Sequence, residues 1–115
     1  MERETLEQMY PEISLMFATY FHQHYTTFAD KFDESKPIIP QLTYAYKKLC
    51  SEEEIAAMVK ELKSLIHMRY TEEMLDKITY GLGMWVNVNH YGYTHEQFLL
   101  KVLNLLKDEH YRPID

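Results

Sequence analysis

The chain has one cysteine, three glycines and four prolines in 115 residues. It also has no apolar run approaching the roughly 20 residues that a bilayer-spanning helix needs. Each scarcity excludes something. A single thiol, Cys50, cannot close a bridge within the chain, so there is no disulfide framework and no mark of an oxidising compartment. Gly81, Gly83 and Gly92 cannot build a phosphate-cradling loop, which needs glycines followed by lysine and a hydroxyl residue. The opening residues Met1-Glu2-Arg3-Glu4-Thr5 are charged and lack the apolar stretch of a secretory signal, so the expected location is the cytoplasm. Positive charge is scarce too: 12 basic residues stand against 18 acidic ones, for a formal charge of −6. Such a field repels phosphate backbones and anionic lipid headgroups, so neither a nucleic acid nor a membrane is the expected partner.

What is present is apolar and aromatic. Hydrophobic residues make up 46% of the chain, including ten Tyr, five Phe and seven Met. That is enough for one core, and the length suits a single domain over residues 1–115. Charge is uneven along it. Residues 1–34 hold seven acids against two bases, whereas the rest holds eleven against ten. The asymmetry either steers a basic partner toward the N-terminal part or simply keeps a small protein soluble.

The apolar spacing is helical nearly throughout. Tyr10-Pro11 opens a helix with proline at its first position, and Ile13, Met16, Phe17 and Tyr20 recur on one stripe with Phe21 beside it. A short turn from Thr5 to Met9 precedes it, with Leu6 and Met9 folded onto the same side. Between Thr26 and Pro40, the residues Asp30, Asp33, Glu34, Ser35 and Pro37 break the pattern into a long connection. Pro40 starts the next helix, carrying Leu42, Ala45, Tyr46 and Leu49. Ser51-Glu52-Glu53-Glu54 has the capping-box form and heads a helix whose inward stripe is Ile55, Met58, Val59, Leu62, Leu65 and Ile66. Thr71-Glu72-Glu73 starts another, with Leu75 and Ile78 inward and Glu73 four residues from Lys77. The segment from Gly83 to Gly92 alternates apolar and polar residues, but one strand without a partner reads as an extended loop. A second capping box, Thr94-His95-Glu96-Gln97, heads the final helix with Phe98, Leu99, Val102, Leu103 and Leu106. The expected fold is all-α: a single-domain bundle of about five main helices plus short turns.

Catalytic groupings are missing. Six histidines invite a metal hypothesis, but His22 and His24 are two residues apart and so face different sides of a helix. No cysteine pair or His-Glu-x-x-His arrangement completes a shell, so no metal or cofactor is expected. Cys50 sits beside three glutamates, whose field raises a thiol pKa rather than lowering it. Glu52-Glu53-Glu54 and Glu72-Glu73 occupy first helical turns, where acids complement the helix dipole. The chain does not read as an enzyme.

Surface remains. Trp85 and Tyr91 lie in a loop with Asn87, Asn89 and Tyr93, the rigid aromatics and adaptable amides of a binding anchor; alternatively Trp85 folds inward to lid the core. Asp30, Asp33 and Glu34 in the long connection, and Glu72, Glu73 and Asp76 on the later helix, are the acidic candidates for contacting a partner. The competing assignment for each is an ordinary solvated acid.

Tyr10-Pro11-Glu12 followed by Tyr20-Phe21-His22-Gln23 resembles the small helical immunity proteins of bacterial contact-dependent growth inhibition systems. Members open with a short acidic turn, a Tyr/Phe-Pro-Glu-Leu-like helix start and a Tyr-Phe-His-Gln-Asp-Trp-like segment. Here His24 and Tyr25 replace the acidic and tryptophan positions. The capped Ser51 helix, the Gly81-to-Gly92 loop and Thr94 to Leu99 are similar to the family's closing pattern, so the likeness spans nearly the whole chain. The resemblance implies a cytoplasmic protein that binds the C-terminal toxin domain of a cognate contact-delivered effector in a 1:1 complex. It points to a basic nuclease, with a ribonuclease favoured. A self-associating helical adaptor without a toxin partner is the alternative.

Overall fold

A computed structural model describes residues 3–21, 37–84 and 86–108. Asp30, Asp33, Glu34 and Trp85 lie outside the described residues, as do His22, His24 and His110. Within them the chain forms six α-helices, one short 3-10 turn and no strand, so the fold is all-α.

Pro11 occupies the first turn of α2 (Pro11–Tyr20), where an amide would lack an intrahelical partner anyway. Ile13, Met16, Phe17 and Tyr20 are its buried residues, the stripe that the spacing predicts, and Phe21 is fully enclosed just beyond them. Helix α1 (Arg3–Met9) is a full helix rather than a turn, and its inward residue is Leu6. Met9 does not fold inward as expected; it is 48% exposed. Tyr10, four residues after Leu6, takes the inward place, and α1 rests on α5 (Glu72–Gly81). Gly81 makes that approach feasible, because a Cβ there would lie 2.7 Å from Leu6 Cδ1.

Helix α3 (Ile38–Leu49) begins two residues before Pro40, which therefore sits inside the first turn. That position costs nothing in hydrogen bonding, since the first amides of a helix have no intrahelical carbonyl to reach. Leu42 and Tyr46 are buried as expected, but Leu49 is 72% exposed at the helix end. Helix α4 (Glu52–His67) carries the predicted capping box: Ser51 Oγ accepts from Glu54 N at 3.1 Å, and Glu54 Oε1 accepts from Ser51 N at 3.1 Å. Helix α6 (His95–Lys107) repeats it with Thr94 and Gln97, at 3.1 and 3.0 Å.

Helix α6 is the hub, packed against α4, α3 and α5, while α2 packs against α4, α3 and α1. Phe17, Phe21 and Phe98 form a triangle of rings with centroids 5.4 to 5.9 Å apart, two of the contacts edge-to-face. Such pairs add about 0.5–1.5 kcal/mol each beyond their buried area.

The segment after α5 departs from the extended loop expected of it. Leu82 closes the helix, Gly83 turns at φ +106°, and Val86 N donates to Phe21 O at 3.1 Å, tying the segment to the end of α2. Val88–Tyr91 then winds one 3-10 turn, started by Asn87 Oδ1 accepting from Asn89 N and ended by Gly92 at φ +88°. Its short-range polar contacts come from the asparagines that the alternating pattern placed outside.

Candidate functional site

The two helices that flank this segment are joined by carboxylates of α5. Thr71 caps α5 by accepting from Met74 N at 3.2 Å, which fixes Glu72 at the first helical position. From there Glu72 reaches the start of α6, where Oε1 accepts from His95 N at 2.7 Å and Oε2 from Glu96 N at 3.1 Å. The amides at a helix start point outward without partners, so a carboxylate there satisfies donors and complements the dipole together. Burial pushes the Glu72 pKa up, but donation from the His95 backbone and ring and from Glu96 outweighs it, and the net direction is downward.

His95 is held between two acids. Its Nδ1 lies 3.0 Å from Glu72 Oε1 and its Nε2 lies 3.3 Å from Asp76 Oδ1, with only 10% of the side chain exposed. Glu72 and Asp76 are one helical turn apart and so reach the ring from the same helix. They approach opposite nitrogens, so the three groups do not converge on a single ion. When protonated, the imidazole donates to both.

Beside this clamp is a cleft of about 320 Å³ between α5 and the Val88–Tyr91 turn. It is lined by the buried residues Thr79, Met84 and Val86 and by Asp76, Tyr80, Asn87 and Asn89. Thr79 donates its hydroxyl to Asp76 O at 3.1 Å, so that donor is not idle. Asn89 Nδ2 donates to Tyr93 O at 2.8 Å, which fixes the side-chain amide.

Of the candidates on described residues, Asp76 lines the cleft and Glu72 stands behind it through His95. Glu73 is exposed and pairs with Lys77 at 3.6 Å, an arrangement worth little on an open surface. Tyr91, 38% exposed and edge-on to the His90 ring, belongs to the same turn but not to the cleft lining. Sequence reasoning missed Tyr80 and the role of His95. The available signal was Glu72 and Asp76 at i, i+4, facing a histidine at the first position of a capped helix.

A second interhelical cap joins α4 to α2. Tyr10 provides no side-chain cap for α2, and Glu61 of α4 does so instead, its Oε1 accepting from Glu12 N at 3.0 Å and Ile13 N at 3.1 Å. Here burial is the larger influence and outweighs the amides, so the Glu61 pKa is raised, with the Glu12 carboxylate adding to the rise. The Cys50 thiol is also raised, as expected from its surroundings, but burial rather than the neighbouring glutamates is the main cause. Glu54 and Glu12 contribute after it, and the Tyr46 hydroxyl opposes them. This is no setting for an activated nucleophile. No helix among the described residues is long and apolar enough to cross a membrane.

A family model described as CdiI immunity protein matches residues 9–106, from just before Pro11 to the last turn of α6. No curated protein and no solved structure matches the chain.

Proposed function

The chain belongs to the CdiI immunity protein family, and from that premise we propose that it binds and neutralises the C-terminal toxin domain of a cognate contact-delivered effector. The family match over residues 9–106 carries this reading. The whole chain acts as one domain in the cytoplasm of the cell it protects, binds a single toxin domain, and transforms no substrate. The toxin is a basic nuclease, with a ribonuclease the favoured activity. Nucleases gather positive charge to hold phosphate, and a partner of formal charge −6 complements such a cleft. Pairing acid against base speeds encounter and sets partner choice more than it adds affinity.

Asp76, Tyr80 and the Asn87–Asn89 turn form the contact region that this reading favours, because they join a carboxylate to an exposed aromatic around one cleft. Asp30, Asp33, Glu34 and Trp85 remain proposed contributors, while Glu72 acts by positioning His95 rather than by touching the partner. Calorimetric titration against the C-terminal domain encoded immediately upstream tests the proposal. The expected result is saturation at one equivalent with loss of RNA cleavage. No heat and undiminished cleavage, together with a stable homodimer in sedimentation, would replace it with a self-associating adaptor.

A further inference from the structure

We propose that the cleft between α5 and the Val88–Tyr91 turn receives one arginine side chain of the bound toxin. The proposal rests on the toxin-binding reading and adds to it the chemistry of a single anchor.

Charge selects the cleft first. Another cleft is lined by Lys63 and Arg69, and a third by Lys47 and Lys107, whereas the described residues that line this one include neither lysine nor arginine. Among its described lining residues, the one that can become cationic is His95, with each ring nitrogen turned to a carboxylate. Whether His95 is neutral or protonated, its grouping with Glu72 and Asp76 keeps a net negative charge. The site therefore presents an anionic lining in either state.

Shape selects arginine over lysine. Asp76 gives only Oδ1 to His95, and its side chain is 71% exposed, so a second carboxylate oxygen remains to accept. Asn89 is oriented by its Nδ2 bond to Tyr93 O, which leaves Oδ1 as an acceptor in the lining. Several acceptors spread around one concavity suit the fixed fork of donors on a guanidinium, which an ammonium cannot offer. Met84 and Val86 in the lining receive its methylene stem. The volume, about 320 Å³, lies at the bottom of the range for small-molecule pockets, roughly 300–1,000 Å³. That suits an inserted side chain better than a cofactor.

The test uses the full chain and the toxin domain from the upstream reading frame. Asp76→Asn should weaken binding about tenfold or more, the scale of losing one partner of a desolvated charge pair. Asn89→Ala, which leaves the His95 clamp intact, should weaken it in the same direction. Glu53→Gln removes the same unit of charge from the first turn of α4 and should stay within about twofold. A photo-crosslinker at position 80 should label a toxin segment containing an arginine, and replacing that arginine by lysine should cost less affinity in the Asp76→Asn background than in the wild type. Tight wild-type binding with both cleft variants unchanged, or a crosslink to a segment without arginine or to a second copy of this chain, overturns the proposal and leaves toxin binding standing. Failure of the wild-type chain to bind removes both.

Discussion

Replacing Glu72 by alanine removes the side chain by which α5 caps the start of α6. Two backbone amides, His95 N and Glu96 N, lose an acceptor, and the buried His95 ring loses the partner of its Nδ1. Loss of a helix cap costs about 0.5–2 kcal/mol, and a hydrogen bond to a charged group contributes about 1.5–3 kcal/mol when buried. The Glu72 side chain is 46% exposed, so water replaces part of what is lost. The expected destabilisation is therefore about 2 kcal/mol rather than the sum. At about 4 °C per kcal/mol for a chain of this size, the melting midpoint should fall by roughly 8 °C.

Acidity gives the same argument a sign. The folded-state pKa of Glu72 is lowered from 4.5, so its contribution is fully present above the unfolded value and fades as pH falls through the folded one. The stability gap between wild type and Glu72→Ala, measured by urea unfolding, should hold at neutral pH and close on acidification below about 4.5. Glu73→Ala, one position along and exposed, should change stability by no more than about 0.5 kcal/mol. A gap under about 0.5 kcal/mol at pH 7, within the ordinary scatter of surface substitutions, would refute the interhelical cap. So would a gap that widens in acid.

Glu61 predicts the opposite pH trend, because burial raises its pKa and the stability tied to its neutral form is lost as pH rises through that value. Glu61→Gln retains an acceptor for Glu12 N and Ile13 N and should match or exceed wild type at pH 7, whereas Glu61→Ala should cost about 1–2 kcal/mol in urea unfolding. The buried Tyr46 hydroxyl has no oxygen or nitrogen hydrogen-bond partner among the described residues, so Tyr46→Phe should be neutral or stabilising in a thermal melt. Gly83→Ala should destabilise by about 1–3 kcal/mol, since its φ is +106° and a Cβ would lie 3.1 Å from that of Ala18.

The parts of this fold readable in advance are those whose signal is local. Both capping boxes, the Pro11 start and the Leu75/Ile78 stripe depend on residues within one or two turns of each other, and each is in place. The start of α3 was displaced because Pro40 marks a region where proline is tolerated, not a unique first position. Met9 and Leu49 satisfy a helical period yet face solvent, since periodicity names a face without saying where the packed partner ends. The site was less legible for the same reason. Glu61 and Glu72 read as ordinary helix acids because their ligands lie 49 and 23 residues away in sequence. Asp76 and the asparagine turn were visible as surface; that they share a cleft with Tyr80 follows only from how α5 meets the segment tied to Phe21.

Protection of the cell that makes the chain is measured by a growth competition. Susceptible cells making this chain are mixed with cells delivering the effector encoded alongside it, and survivors are counted against cells lacking the chain. Expressing cells should persist while unprotected cells are lost. Equal loss of both, with the chain confirmed folded and abundant, would contradict a protective role.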